Sequence, residues 1–505
     1  MGDINKHNYK PVIAWLKKRF PAEFEKADET RRRDRARAAA GDFGPPVSKE
    51  PGTIGGTLNR GKLLIGTTVF YEDKRFGEGD VRRIAEGGFD FLLCEDTGAF
   101  SRTLAGHCEK HGVALIARDK DLPDYDGAAA AAERGADFFA GSHPAHAGAM
   151  IADEPHAGSF APLGEYCALF TQKFPGQLPF INLFPAGTLP RRLGERNYKQ
   201  YIRTYIQKVP SDYISVDVYP FFSFSLIKKI GLAACLRTYD TVGAACRETG
   251  RDFWLYMQTQ GDWFDLLYAM PAYEQIRWQA YAALAFGARC LMHVSYTPVW
   301  GSQATAMIDK DGNVTEQYLY AKRVNTELTA LSPVYMPYKS LGVLPANSAR
   351  ENKDLKKVFR TLKKESAKRG FQTPPVFDRV NTEYPALVGY FEKEDGGFAC
   401  MIVNCRNLYS SERQKTYVSL NEKRNIRVYR NGKLYEERLH AKSSIKKSIS
   451  CISPSAFCRT SSGRFLSFFT TLSVKNANKC ISNSTRAARC SPVSRRRKSA
   501  RKCRR

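Results

Sequence analysis

Between Lys62 and Pro298 the chain alternates eight apolar, strand-like runs with helical patterns. The runs are KLLIGTTVF, FDFLLCED, VALIARD, GAMIADEP, LPFINLFP, DYISVDVYPF, DFWLYMQTQG and ARCLMHVSYTP. Helical periodicity separates them over Glu78 to Gly87, Ser101 to His111, an alanine-rich Gly127 to Arg134, Leu163 to Phe174, Tyr198 to Lys208, Leu226 to Thr249 and Tyr273 to Gly287. Near-continuous apolar strands alternating with helices mark a parallel sheet covered on both faces. Eight units in roughly 240 residues is the size of a closed (β/α)8 TIM barrel. An open doubly wound sheet is the competing α/β topology. It fits less well, because no glycine-rich phosphate loop follows the first run.

The flanks read differently. Residues 1–60 form a polar, partly helical extension, with one helix ending near Arg19, a basic-rich run from Arg31 to Arg37 and a Gly/Pro-rich stretch from Gly41 to Gly61. The expected barrel occupies 61–335, completed by a helix from Asn313 to Leu331. Residues 336–440 read as a small antiparallel β domain, with hairpin turns at Asp395-Gly396-Gly397 and Asn431-Gly432 and a charged helical segment within Leu341 to Gly370. Residues 441–505 are a basic, low-complexity tail that reads either as disordered or as a non-native, out-of-frame ending.

Charge sorts the function classes. The net charge of +27 is concentrated at the termini. The tail carries 17 Lys plus Arg and no acidic residue, and residues 1–60 carry 13 basic and 8 acidic, leaving 48 basic and 43 acidic between 61 and 440. A nearly balanced body argues against a nucleic-acid role, except non-specifically through the tail. No run is long enough to span a bilayer, and the N-terminus lacks a signal-peptide core, so a cytoplasmic protein with no membrane partner is expected. The 13 cysteines include no CxxC pair, and Cys94, Cys290 and Cys400 lie in apolar runs as reduced core thiols.

In a barrel, chemistry gathers where strands end. Those positions hold Thr67 to Tyr71, Glu95 and Asp96, Asp119 and Asp121, Asp153 and Glu154, Asn182, Asp217 and Tyr219, Gln258 and Gln260, and His293 to Tyr296. Pro155 stops the fourth run just after two carboxylates. The set is rich in acids, amides and aromatics, and Trp263 and Trp300 add flat faces suited to pyranose rings, whereas Trp254 and Phe222 read as core. His143, His146 and His156 do not match a compact metal motif and read as loop histidines. No metal or cofactor is expected.

Three segments, SHPAHAGAMIADEP, DYISVDVYPF and EQIRWQAYAALAFGARCLMHVSYTP, resemble a glycoside hydrolase barrel of the clan that carries its acid/base on strand four. The chain is most similar to family 42-like β-galactosidases and their uncharacterised relatives. The resemblance implies a carbohydrate substrate and places Glu154 as general acid/base, with Asp153 standing where the family has Asn. It also implies a nucleophilic glutamate near the end of strand seven, where this chain has Gln258. An amide is no nucleophile. Three explanations stay open: an inverting enzyme with Asp217 or another rim carboxylate as base, a nucleophile from a neighbouring position such as Asp262 or Asp265, or a barrel that binds sugar without cleaving it. Asp153, Glu95, Asn182, Tyr219, Gln258, Gln260, Trp263, Tyr296 and Trp300 are the expected sugar contacts.

Overall fold

Eight parallel strands close on themselves in chain order in the computed structural model of the protein. They are β1 (Leu64–Val69), β2 (Phe91–Cys94), β3 (Ala114–Ala117), β4 (His146–Asp153), β5 (Leu178–Leu183), β6 (Tyr213–Val218), β7 (Asp252–Gln258) and β8 (Ala288–Val294), with β8 pairing back on β1. The structure describes residues 28–54, 56–70, 76–94, 100–118, 143–222, 225–261, 269–298, 306–347, 353–406, 413–421, 424–430, 433–439, 449–452, 456–461 and 466–469. The alanine-rich helix expected over Gly127 to Arg134, the helix near Arg19 and residues 470–505 lie outside them.

The barrel is filled rather than hollow. Leu64, Phe91, Leu93, Ile116, Met150, Phe180, Tyr213, Trp254, Tyr256 and Met292 form one buried cluster inside the strands. Trp254 sits at its centre, with ring centroids 4.7 Å from Tyr213, 6.0 Å from Phe180 and 6.1 Å from Phe91. Gly66 makes room for this layer: a Cβ there would stand 2.3 Å from the Phe91 ring. Side chains on the other strand face meet the outer helices, so both faces are dry and the strands read as unbroken apolar runs.

The helices are α1 (Asp28–Ala39), α2 (Glu78–Glu86), α3 (Phe100–His111), α4 (Phe160–Lys173), α5 (Tyr198–Lys208), α6 (Ser225–Thr249), α7 (Tyr273–Ala285), α8 (Glu316–Tyr335) and α9 (Lys353–Lys368). The basic run Arg31 to Arg37 falls in α1, which docks on α8. Tyr320 donates its hydroxyl to Asp34 (3.0 Å), and Arg35 pairs with Glu316 (3.0 Å). No helix among the described residues is long and apolar enough to cross a membrane.

The N-terminal end of the barrel is sealed by the segment leading into β1. Lys49 and Lys62 both reach the buried carboxylate of Asp90 (3.1 and 2.8 Å), whose other oxygen accepts from the Ile65 N–H (3.0 Å). Leu58 packs on the interior cluster, and Arg60 bridges Asp252 and Asp212.

Beyond α8 the chain forms antiparallel sheets from β9 (Tyr338–Ala346), β10 (Phe377–Thr382), β11 (Ala386–Lys393), β12 (Phe398–Asn404), β13 (Arg413–Leu420), β14 (Arg424–Arg430) and β15 (Lys433–Leu439). Here α7 packs between barrel and sheet: a Cβ on Gly389 of β11 would stand 2.3 Å from the Ala285 carbonyl oxygen. The charged helical segment is α9, between β9 and β10. Three short strands, β16 (Ile449–Ile452), β17 (Ala456–Ser461) and β18 (Leu466–Phe469), carry the sheets past residue 440, where the sequence reading ends the domain. Cys94, Cys290 and Cys400 are buried, as read from their apolar surroundings.

Candidate functional site

The site is built where β4, β5 and β6 end. On β4, Ala152 faces the helices and Asp153 faces the mouth. The Glu154 N–H makes a last ladder bond to the Asn182 carbonyl (2.8 Å). Its backbone then turns into the left-handed region, with φ of 48°. That conformation costs a non-glycine residue of order 1 kcal/mol or more. Pro155 ends the pairing, and its carbonyl is tied down by the Tyr201 hydroxyl (2.7 Å).

Asn182 on β5 organises the carboxylates. Its Nδ2 donates one hydrogen to Asp153 Oδ1 and one to Asp217 Oδ1, both at 3.2 Å. Its Oδ1 accepts from the Ser215 hydroxyl (3.1 Å), which fixes the amide orientation. One side-chain amide thus spans three neighbouring strands and holds two acids.

All three acids bind their protons more tightly than usual. Burial is the first cause for each, because a concave, protein-lined mouth solvates an anion poorly even where water reaches it. Asp153 is raised by burial, opposed by the Asn182 hydrogen bond and by Arg118. Glu154 is raised to about 7 by burial and the charge of Asp153, with Arg192 pulling the other way. Asp217 is raised well above the carboxylate range by burial, Glu154 and Asp153. Such mutual repulsion couples the proton binding of Glu154 and Asp217.

Arg192 supplies the counter-charge. It lies on a single helical turn, Pro190–Leu193, in the loop after β5. Its Nη2 donates to Glu154 Oε2 (3.2 Å), and its guanidinium lies 4.7 Å over the Phe184 ring. Nothing in the sequence reading singled it out. The available signal was a basic pair, Arg191-Arg192, in a loop at the C-terminal end of a barrel strand.

The other expected contacts fall into three groups. Tyr219 stands half-buried just past β6 against the interior cluster. Glu95, Trp263 and Trp300, with Asp262 and Asp265, lie outside the described residues. Gln258, Gln260 and Tyr296 are fully buried and committed to protein partners. The Gln258 Oε1 accepts from the Phe221 N–H (2.9 Å), and its Nε2 donates to the carbonyls of Phe221 (3.0 Å) and Ala269 (2.9 Å). Gln279, from the RWQ stretch, brackets the Gln258 backbone with two bonds of 2.9 Å. Gln260 accepts from Ser295 (2.8 Å). Tyr296 points away from the mouth toward α2, donating to Asp80 and accepting from Arg83 (both 3.0 Å). The Gln258 amide, the Gln260 carbonyl oxygen and the Tyr296 hydroxyl are thus engaged by the barrel wall.

The histidines divide similarly. His156 caps a short turn by accepting from the Gly158 N–H (3.0 Å), and His143 faces Glu109 (3.4 Å). His146 is buried at the start of β4, and burial lowers its pKa to about 4. His293 is buried between Thr259 and Asn325, also lowered to about 4 by burial. Among the described residues no group of three His, Cys, Asp or Glu could hold a metal.

No protein-family model and no curated protein matches the chain in sequence. Solved structures match it in fold. A catalytic mutant of Gan42B, a GH42 β-galactosidase from G. stearothermophilus, is similar at a TM-score of 0.50 and 8% identity, over 82% of this chain and 100% of that one. The β-galactosidase from Bacillus circulans sp. alkalophilus is similar at a TM-score of 0.50 and 10% identity, over 79% and 99%. At this identity the likeness establishes a shared fold: a TIM barrel followed by antiparallel sheet, the architecture of these glycoside hydrolases.

Proposed function

We propose that this chain is a glycoside hydrolase acting through Glu154 and Asp217. The observation that carries the reading is the Asn182 bridge, which holds Asp153 and Asp217 beside Glu154 at the ends of three adjacent strands. Glycosidic cleavage needs one carboxyl that still holds a proton and one that is charged. A repelling cluster whose members bind protons unusually tightly meets that need near neutral pH. In the proposed cycle Glu154 protonates the departing glycosidic oxygen as the anomeric C–O bond breaks. In the reactive form of the coupled cluster Glu154 holds the proton and Asp217 is charged, its Oδ1 accepting from Asn182, and Asp217 takes a proton from the water that adds to the anomeric carbon. Asp153 positions sugar hydroxyls, Asn182 holds Asp153 and Asp217 in place, and Tyr219 offers its ring at the rim.

A panel of nitrophenyl glycosides, assayed on wild type and Glu154→Gln, tests this. Loss of the acid should lower kcat on the order of 10²- to 10⁴-fold. Wild-type activity should fall as pH rises through about 7, where Glu154 loses its proton. A Glu154→Gln variant that cleaves at the wild-type rate would remove this residue from the mechanism.

A second reading, a carbohydrate-binding barrel without hydrolysis, is favoured by Gln258. Its amide is spent on backbone groups at the place where the resemblance expects a nucleophile. Saccharide binding by calorimetry with no turnover on any glycoside of the panel would select it.

A further inference from the structure

We propose that the saccharide is anionic, carrying a carboxylate or sulfate, and that Arg192 is the residue that reads that group. The inference rests on the glycan-directed reading of the Glu154 site and names its substrate class.

Arg192 is placed as a recognition group rather than as a wall element. Its side chain is 54% exposed, although it touches an acid that is only 22% exposed. A guanidinium offers five N–H donors. Among the described residues the Arg192 side chain forms one hydrogen bond, from Nη2 to Glu154. The stack on Phe184 holds the guanidinium plane, so little further ordering is needed when a planar anion arrives. A carboxylate or sulfate ester accepts two parallel bonds from such a fork, which a neutral hydroxyl cannot do.

The neighbouring charge fits this assignment. Three acids crowd the mouth, and among the described residues Arg118 acts on Asp153 and Arg192 on Glu154. An incoming anion that takes Arg192 as its partner draws that positive charge away from Glu154. Glu154 then holds its proton more firmly, and the proton is the one the leaving oxygen needs. A neutral substrate leaves Arg192 on Glu154 and forgoes that effect. Acidic substrates therefore gain in both binding and turnover.

The competing role for Arg192 is to tune Glu154 alone, and matched substrates separate the two. Initial rates are measured on nitrophenyl glucuronides against glucosides, galacturonides against galactosides, and 6-sulfated galactosides, in both anomers, for wild type, Arg192→Gln and Arg192→Lys. The expected result is a wild-type kcat/KM at least about tenfold higher on an acidic member than on its neutral partner. Arg192→Gln should bring that ratio near one, and Arg192→Lys, which keeps charge but loses the fork, should leave an intermediate ratio. The sulfated arm distinguishes sulfate from carboxylate as the group read. Equal losses on both members of each pair would overturn the proposal and leave the hydrolase reading intact. If no glycoside is cleaved, the hydrolase reading fails separately, and calorimetric titration with oligogalacturonate and heparin oligosaccharides decides. Binding that Arg192→Gln abolishes supports Arg192 as an anion reader, and absence of binding to wild type overturns it. Unchanged circular dichroism and thermal midpoint in both variants exclude misfolding as the cause.

Discussion

The two ends of the barrel handle charge in opposite ways. At the N-terminal end one buried carboxylate, Asp90, has two ammonium partners and a backbone N–H. At the C-terminal end three carboxylates face one another, and the arginine beside Glu154 is half in water. The first arrangement offsets the cost of burying charge. The second leaves that cost in place, and the acids express it as tightly held protons. One strand scaffold thus carries a neutralised, closed end and a repelling, open one, and the difference teaches which end is built for stability and which forgoes it.

The largest expected effect comes from breaking the closed end. Asp90→Ala leaves Lys49 and Lys62 buried without their anion and should lower unfolding free energy by about 3–5 kcal/mol in urea or thermal unfolding. A loss below about 1 kcal/mol would mean that the pairing contributes little beyond its own desolvation.

A smaller effect of opposite sign is expected at the open end. The folded Glu154 binds its proton up to about 7, against an ordinary value of 4.5, so the folded state holds more protons than the unfolded one between those values. Its stability contribution is therefore intact at low pH and is lost as pH rises through that window. Glu154→Gln, which does not titrate, should gain about 1–3 kcal/mol relative to wild type at pH 8 and nothing at pH 4. A loss at pH 8 would show the Arg192 pairing to outweigh the repulsion.

The smallest effect sharpens the contrast within the closed end. Arg60 is 35% exposed while it bridges Asp252 and Asp212, so water screens much of its pairing. Arg60→Met should cost about 0.5–1 kcal/mol by the same measurement.

Most of the scaffold is readable from sequence because barrel strands are dry on both faces, and long apolar runs survive any uncertainty in register. The mouth is less readable. A residue at a strand end points into the mouth or into the helix layer depending on local register, and β4 shifts register between Met150 and Ala152. Glu154, Asp153, Asn182 and Asp217 come together as sequence reasoning placed them at strand ends. Tyr296 occupies an equivalent position, yet its hydroxyl meets Asp80 and Arg83 from α2, and an aromatic beside polar residues looks the same in either case. Gln258 shows the same ambiguity, because an amide that satisfies backbone groups and an amide that waits for ligand share one letter. Arg192 escaped notice because a loop has no period to place its side chains.

The left-handed backbone at Glu154 also restricts what can stand there in its place. Side chains branched at Cβ clash with their own carbonyl in that twist, while glycine and asparagine tolerate it. In a saturation library selected only for folding, valine, isoleucine and threonine should be the rarest survivors at this codon and glycine and asparagine the commonest. A carboxylate that persists there against that bias would be kept for the reaction and not for the architecture.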